Sequence, residues 1–91
     1  MDLDWMKDIA LFVEVAQTKS FISASKTLKI PHSTISRRLT AMEKNLGLRL
    51  LNRTTRKVEL TNEGSAYLER IKYLVKEAEE IISSRLERSI G

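Results

Sequence analysis

The sequence predicts a mainly α-helical protein: three helices, a two-stranded β-hairpin, and one long helix at the C-terminal end. Three observations carry this. Apolar residues recur at steps of three and four in four separate segments. One Pro and three Gly leave the chain few helix breaks, and Pro31 and Gly47 fall between periodic segments. Between Gly47 and Thr61 the pattern changes to short apolar stretches on either side of a cationic tip.

Residues 4–17 read as the first helix. Ile9, Phe12, Val13 and Ala16 recur at three and four, with Trp5 one step earlier, and Asp4 and Asp8 suit a helix N-terminus. A core role is expected for both aromatics, with the lining of a ligand pocket as the alternative. Gln17, Thr18 and Lys19 make a polar break. Ser20 is a good N-cap for a second helix over 21–28, whose inner face is Phe21, Ala24, Ser25 and Leu28. Lys29 and Ile30 turn the chain. Pro31 stands at or just before the next helix start, where its missing N–H costs little.

The third helix runs to about Leu46, with Gly47 as its natural stop. Ile35, Leu39, Met42 and Leu46 share one face, while His32, Ser33, Ser36, Arg37 and Lys44 lie elsewhere on the wheel. A short helix, a tight turn and a second helix with a polar N-terminal half make a helix-turn-helix. Leu48, Leu50 and Leu51 then lead to the tip Asn52-Arg53-Thr54-Thr55-Arg56-Lys57, and Val58 and Leu60 return from it. This is a hairpin wing.

From Asn62 to about Arg88 only Gly64, near the start, interrupts a helix, and Thr61 is its candidate N-cap. Tyr67, Ile71, Leu74, Ala78, Ile81 and Arg85 form one row, with Leu68, Val75 and Ile82 beside it. A helix of this length extends about 40 Å. Its apolar face is too long for a three-helix domain to cover. Two outcomes are open: it pairs with the same helix of a second subunit, or it folds back on its own domain. Pairing is favoured because Ile81, Ile82 and Leu86 lie so far along it. The expected division is a winged helix-turn-helix over 1–61 and a dimerisation helix over 62–91.

Composition narrows the function. At 42% hydrophobic and 31% charged, the chain is expected to fold. It has no Cys, which excludes disulfides and thiolate metal sites and fits a reducing cytoplasm. No apolar run approaches a membrane span, and the early acids of MDLDWMKDIALF do not fit a secretory signal. The one His has no carboxylate pair nearby in sequence, Ser33 and Ser36 lack a base, and no phosphate-cradling glycine loop occurs. No enzyme and no cofactor is expected.

The net charge of +4 is concentrated. Residues 26–57 hold nine bases against the single acid Glu43, whereas 1–25 hold two bases and four acids and 58–91 five and seven. A basic middle between acidic flanks is a localised footprint for a polyanion. The alternatives are a solvated basic surface or a protein-interaction module whose basic face is incidental.

Phe12-Val13, Ser20-Phe21, Ala24, Leu28, Ser36, Leu46-Gly47, Leu50, Arg53-Thr54, Arg56 and Leu60-Thr61 with Gly64 resemble, in order and spacing, the N-terminal domain of LysR-type bacterial transcriptional regulators. The resemblance covers about residues 8–66, and the helix that follows is similar to that family's linker helix. It implies sequence-specific binding of double-stranded DNA at an operator by a homodimer paired through the linker helix. It also implies a small-molecule effector bound by a separate C-terminal domain absent from these 91 residues, as in an isolated DNA-binding half. The location implied is the bacterial cytoplasm, at the nucleoid. The recognition helix opens with Pro31-His32 where the family usually has Ser-Gln, so the place of contact carries over but not the base preference.

The expected base-reading residues are His32, Ser33, Thr34, Ser36 and Arg37, in the first turns of the third helix. Arg37 suits a two-pronged contact to guanine O6 and N7. His32 can donate, or accept when neutral, or stand as a solvent-exposed cap residue. Arg53 is expected to enter the minor groove. Thr54, Thr55, Arg56 and Lys57 are expected at the DNA backbone. Ser20, Arg38 and Lys44 are further phosphate candidates, with solvent the alternative for the two cations. Tyr67, Ile71, Leu74, Val75, Ala78, Ile81 and Ile82 are the expected dimer contacts.

Overall fold

The computed structural model describes residues 4–54 and 57–90, with Asp4 and 85–90 in backbone only. The chain runs α1 (Asp4–Thr18), α2 (Phe21–Leu28), α3 (His32–Leu46), β1 (Leu51–Arg53), β2 (Val58–Leu60) and α4 (Asn62–Ile90). Local chemistry sets the boundaries. The Ser20 hydroxyl accepts the Ser23 N–H at 3.1 Å and starts α2. Lys29, left-handed at φ 58°, ends it. Pro31 is the N-cap of α3 through its carbonyl, which accepts the N–H groups of Thr34 and Ile35 at 3.0 and 3.1 Å. Gly47 at φ 69° ends α3, the left-handed conformation that glycine adopts without steric cost. The Thr61 hydroxyl accepts the Gly64 N–H at 2.9 Å and caps α4.

The two strands pair antiparallel, Leu51 with Leu60, Asn52 with Glu59 and Arg53 with Val58. Thr54 closes their tip, its N–H donating to the Lys57 carbonyl at 3.0 Å and its hydroxyl accepting the Lys57 N–H at 3.1 Å.

One core joins all six elements. Leu11, Phe12, Val15 and Ala16 of α1 meet Phe21 and Ala24 of α2 and Ile35 and Leu39 of α3. Leu50, Leu51 and Val58 close it from the hairpin side, and Leu68 and Ile71 from α4. The first three turns of α4 therefore belong to the same hydrophobic body as the helix-turn-helix. Gly64 permits this approach: a Cβ there would overlap the Leu50 carbonyl oxygen.

Three side chains depart from the sequence expectation. Trp5 is 46% exposed instead of core, because the buried stripe of α1 is centred on Phe12 with Leu11 and Val15 beside it, and Ile9 and Val13 only flank it. Leu46, on the same face of α3 as Ile35 and Leu39, is 39% exposed because it stands past the last residue that the core covers, Leu39, with Met42 half-buried between. Ile71 is buried by its own domain and is not part of a free face of α4. Beyond it, every residue from Lys72 to Ser84 is exposed. The side chains of Arg85 and Leu86, two of the expected stripe, lie outside the described residues. Among the described residues no helix is long and apolar enough to cross a membrane.

Candidate nucleic-acid interface

Ile35 and Leu39, at steps of four, turn one side of α3 into the core. The opposite side of its first turns is thereby presented outward. Ser33 and Arg37 are exposed there, Thr34 and Ser36 are half-buried at its edges, and His32, one turn before Ile35, is exposed at the helix start. Nothing in the protein competes for the Arg37 guanidinium among the described residues. The helix start is well braced. Ser25 donates to the Ile30 carbonyl at 2.6 Å, while the Ile30 N–H returns to the Ser25 carbonyl at 3.3 Å. The turn between α2 and α3 is thus closed by one residue in two directions. His32 meets the Phe21 ring edge-on, with ring centres 5.4 Å apart and planes at 81°. Its ring therefore leans on α2 while remaining exposed.

The expected cations divide into two groups. Lys44, Lys57 and Arg37 are exposed. Arg38 and Arg53 are engaged within the fold. Arg38 Nε donates to Asp8 Oδ1 at 2.7 Å and ties α3 to α1. Arg38 is three positions from buried Ile35 and next to buried Leu39, so its stem leaves α3 beside the core, within reach of α1. Arg53 ends β1 and points back at α3. One terminal nitrogen lies 3.0 Å from both Ser36 Oγ and Thr40 Oγ1, and the other lies 3.2 Å from Glu43 Oε1. Its guanidinium also sits over the Phe21 ring, 5.1 Å from the centre.

Of the remaining wing residues, Thr54 is exposed with its hydroxyl spent on closing the tip, and Thr55 and Arg56 lie outside the described residues. Ser20 is half-buried and occupied as the α2 cap.

Glu43 and Thr40 were not among the residues singled out from the sequence, yet both organise this surface. The second Glu43 oxygen accepts the N–H groups of Leu50 and Leu51 at 2.7 and 3.1 Å. One carboxylate thus joins α3 to the strand that follows it. A signal was present: Glu43 is the only acid among the nine bases of 26–57, and it follows Ser36 and Thr40 at helical steps of four and three.

A second surface is formed by α1, the end of α3 and α4. Trp5, Ile9, Met42, Leu46, Tyr67 and Leu74 line an open, mostly apolar groove of about 440 Å³ between α1, the end of α3 and α4. It runs onto the exposed stripe of Leu74, Val75, Ile81 and Ile82.

A helix-turn-helix with an exposed polar recognition face and a paired hairpin against its second helix defines a winged-helix DNA-binding domain. The comparisons with known proteins place it further. Residues 6–65 match the family model described as bacterial regulatory helix-turn-helix protein, lysR family. The chain belongs to that family. It is 40% identical over 79 residues to an HTH-type transcriptional repressor of Pseudomonas aeruginosa, covering 87% of this chain and 25% of that protein. It is 38% identical over 71 residues to the HTH-type transcriptional regulator CrgA of Neisseria meningitidis, covering 78% of this chain and 24% of that protein. The chain therefore spans about a quarter of the length of these relatives. Among solved structures it is similar to the BenM DBD in its complex with catB site 1 DNA, with a TM-score of 0.84 and 28% identity over 100% of this chain and 99% of that one. It is also similar to full-length CbnR complexed with its target DNA, with a TM-score of 0.74 and 31% identity over 88% of this chain and 27% of that one.

Proposed function

We propose that this chain is the operator-binding and dimerising part of a LysR-type transcriptional regulator. The recognition helix α3 enters the major groove with His32, Ser33, Thr34, Ser36 and Arg37, and the wing tip, Thr54 to Lys57, lies along the DNA backbone and the minor groove. Lys44 and the Ser20 end of α2 flank the track as phosphate contacts. The observation that carries this reading is the division of α3: Ile35 and Leu39 are buried, Ser33 and Arg37 are exposed on the opposite side, and His32 is exposed at the helix start. The solved complexes with DNA of the similar BenM and CbnR support it.

The winged body, which takes in α4 as far as Ile71, serves DNA, and the rest of α4 pairs two subunits through its exposed stripe. The paired copies present two recognition helices to two half-sites. An effector, in this reading, is a small molecule sensed by a part of the regulator outside these 91 residues, in a bacterial cytoplasm. Regulation and not catalysis is the activity, as the names of the relatives support.

Random-site selection with the purified chain tests this. Enrichment of two half-sites at a constant spacing is expected, with binding that weakens steeply as salt rises by counterion release. Recovery of no sequence above the input pool, or a flat salt response, overturns the reading.

A further inference from the structure

Arg53, at the end of β1, reaches across to α3, and its geometry is that of a clamp. Ser36, Thr40 and Glu43 lie along one line of α3 over two turns, and the Arg53 fork reaches all three. Its side chain is 26% exposed and that of Glu43 15%. The Phe21 ring beneath the guanidinium adds α2 to the same junction, and His32 stands against that ring. For Arg53 to enter a groove it would have to leave an ion pair, two hydroxyls and an aromatic face together.

The two hydroxyls differ in what they have left. Thr40 donates to the Ser36 carbonyl at 2.9 Å and accepts from Arg53, so its single hydrogen is used. Ser36 accepts from Arg53, and among the described residues its own hydroxyl hydrogen has no acceptor. A hydroxyl carries one donor and two acceptor lone pairs. With the arginine on one lone pair, the hydroxyl hydrogen of Ser36 is left for an acceptor outside the described residues.

We propose that Arg53 is a positioning residue of the DNA-binding surface: it locks the wing to α3 and presents Ser36 as a hydrogen-bond donor, with Glu43 as its anchor. The proposal rests on the DNA-binding reading above and makes it specific. It moves Arg53 from the groove to the frame and assigns Ser36 an acceptor on the DNA, a phosphate oxygen or a purine N7.

Fluorescence anisotropy titrations of the full chain test it, on a duplex carrying the selected site and on a scrambled duplex, across a series of salt concentrations. Arg53→Gln and Glu43→Gln are each expected to weaken binding to the selected duplex on the order of tenfold, while binding to the scrambled duplex stays within about twofold. The double variant is expected to be no weaker than either single one, because the two residues act as one unit. The slope of log affinity against log salt is expected to stay at the wild-type value. Arg53→Lys, which keeps the charge, is expected to recover part of the preference.

A minor-groove or phosphate contact by Arg53 itself gives the opposite pattern. Arg53→Gln then lowers the salt slope by about 0.9, and Glu43→Gln, by freeing the cation, tightens binding. That result overturns the proposal and leaves DNA binding standing. Equal losses on both duplexes, tracking a lowered melting temperature, assign Arg53 to stability alone and overturn it too. If Arg53→Gln fails to fold, the Glu43→Gln and Arg53→Lys comparisons decide by the same signs, since a glutamine oxygen at position 43 still accepts the Leu50 and Leu51 N–H groups. A wild-type chain with no preference for any duplex over the scrambled one overturns the DNA-binding reading and the proposal with it.

Discussion

At the scale of single residues, two neighbours on one helix have opposite fates. Arg37 and Arg38 carry the same charge on adjacent positions, yet Arg38 is bound to Asp8 and Arg37 faces outward with no protein partner among the described residues. A step of about 100° around a helix is enough to separate a side chain beside the core from one that faces solvent. Arg37→Ala is therefore expected to relax sequence preference at one base pair per half-site, a loss of about 1–3 kcal/mol of discrimination. A site logo selected with the variant and compared with wild type checks this. An unchanged logo removes Arg37 from base readout. The cap residues Ser20, Thr61 and Gly47 were legible in the sequence, because a cap acts within three or four residues of itself. The destination of Arg53 was not, because its partners Glu43, Thr40 and Ser36 lie 10, 13 and 17 positions away.

At the scale of elements, the wing and α4 are joined where their backbones touch. The Leu50 carbonyl accepts the Thr61 N–H at 3.0 Å and also faces Gly64 in the first turn of α4. Helix propensity alone makes Gly64→Ala stabilising by about 1 kcal/mol. The close approach reverses the sign, since the added methyl meets backbone and not the end of a flexible side chain. A loss of about 1–3 kcal/mol is expected, from overpacking at a site with no room. Urea unfolding followed by circular dichroism checks it, and a raised midpoint would show that α4 can move off the strand freely. The glycine was visible in the sequence as an interruption near the start of a helix. What it stands against became apparent only when β1 was folded beside it.

At the scale of the molecule, the body is complete at Ile71 while α4 continues to Ile90. Leu74 is 66% exposed, Ile81 64% and Ile82 59%, a contiguous apolar row of the kind that marks an interaction surface. The groove lined by Trp5, Met42 and Tyr67 extends this row back to the domain, so a partner helix would rest on both. Leu74→Asp combined with Ile81→Asp is expected to turn a dimer into a monomer by light scattering, and to remove the advantage of a two-half-site duplex over a single half-site. Both substitutions lie on exposed positions, so the melting of the winged domain should change little. A wild-type chain that remains monomeric at every concentration overturns the pairing.

The sequence by itself determined the element order, the helix caps, the turn before Pro31, the wing and the polar opening of α3. Each of these follows from residues close together in the chain: apolar periodicity, a hydroxyl before a helix, a glycine after one. The tertiary structure alone decided which arc of α1 is buried, leaving Trp5 at the surface, and that Ile71 belongs to the core. It also decided which cations remain outside. Arg38 and Asp8 are thirty positions apart, and Arg53 reaches α3 only because β1 is laid against it. A charge count treats every cation as available, but an arginine within reach of a carboxylate and two hydroxyls is drawn into the frame. Only the packing of distant segments determines which arginines those are.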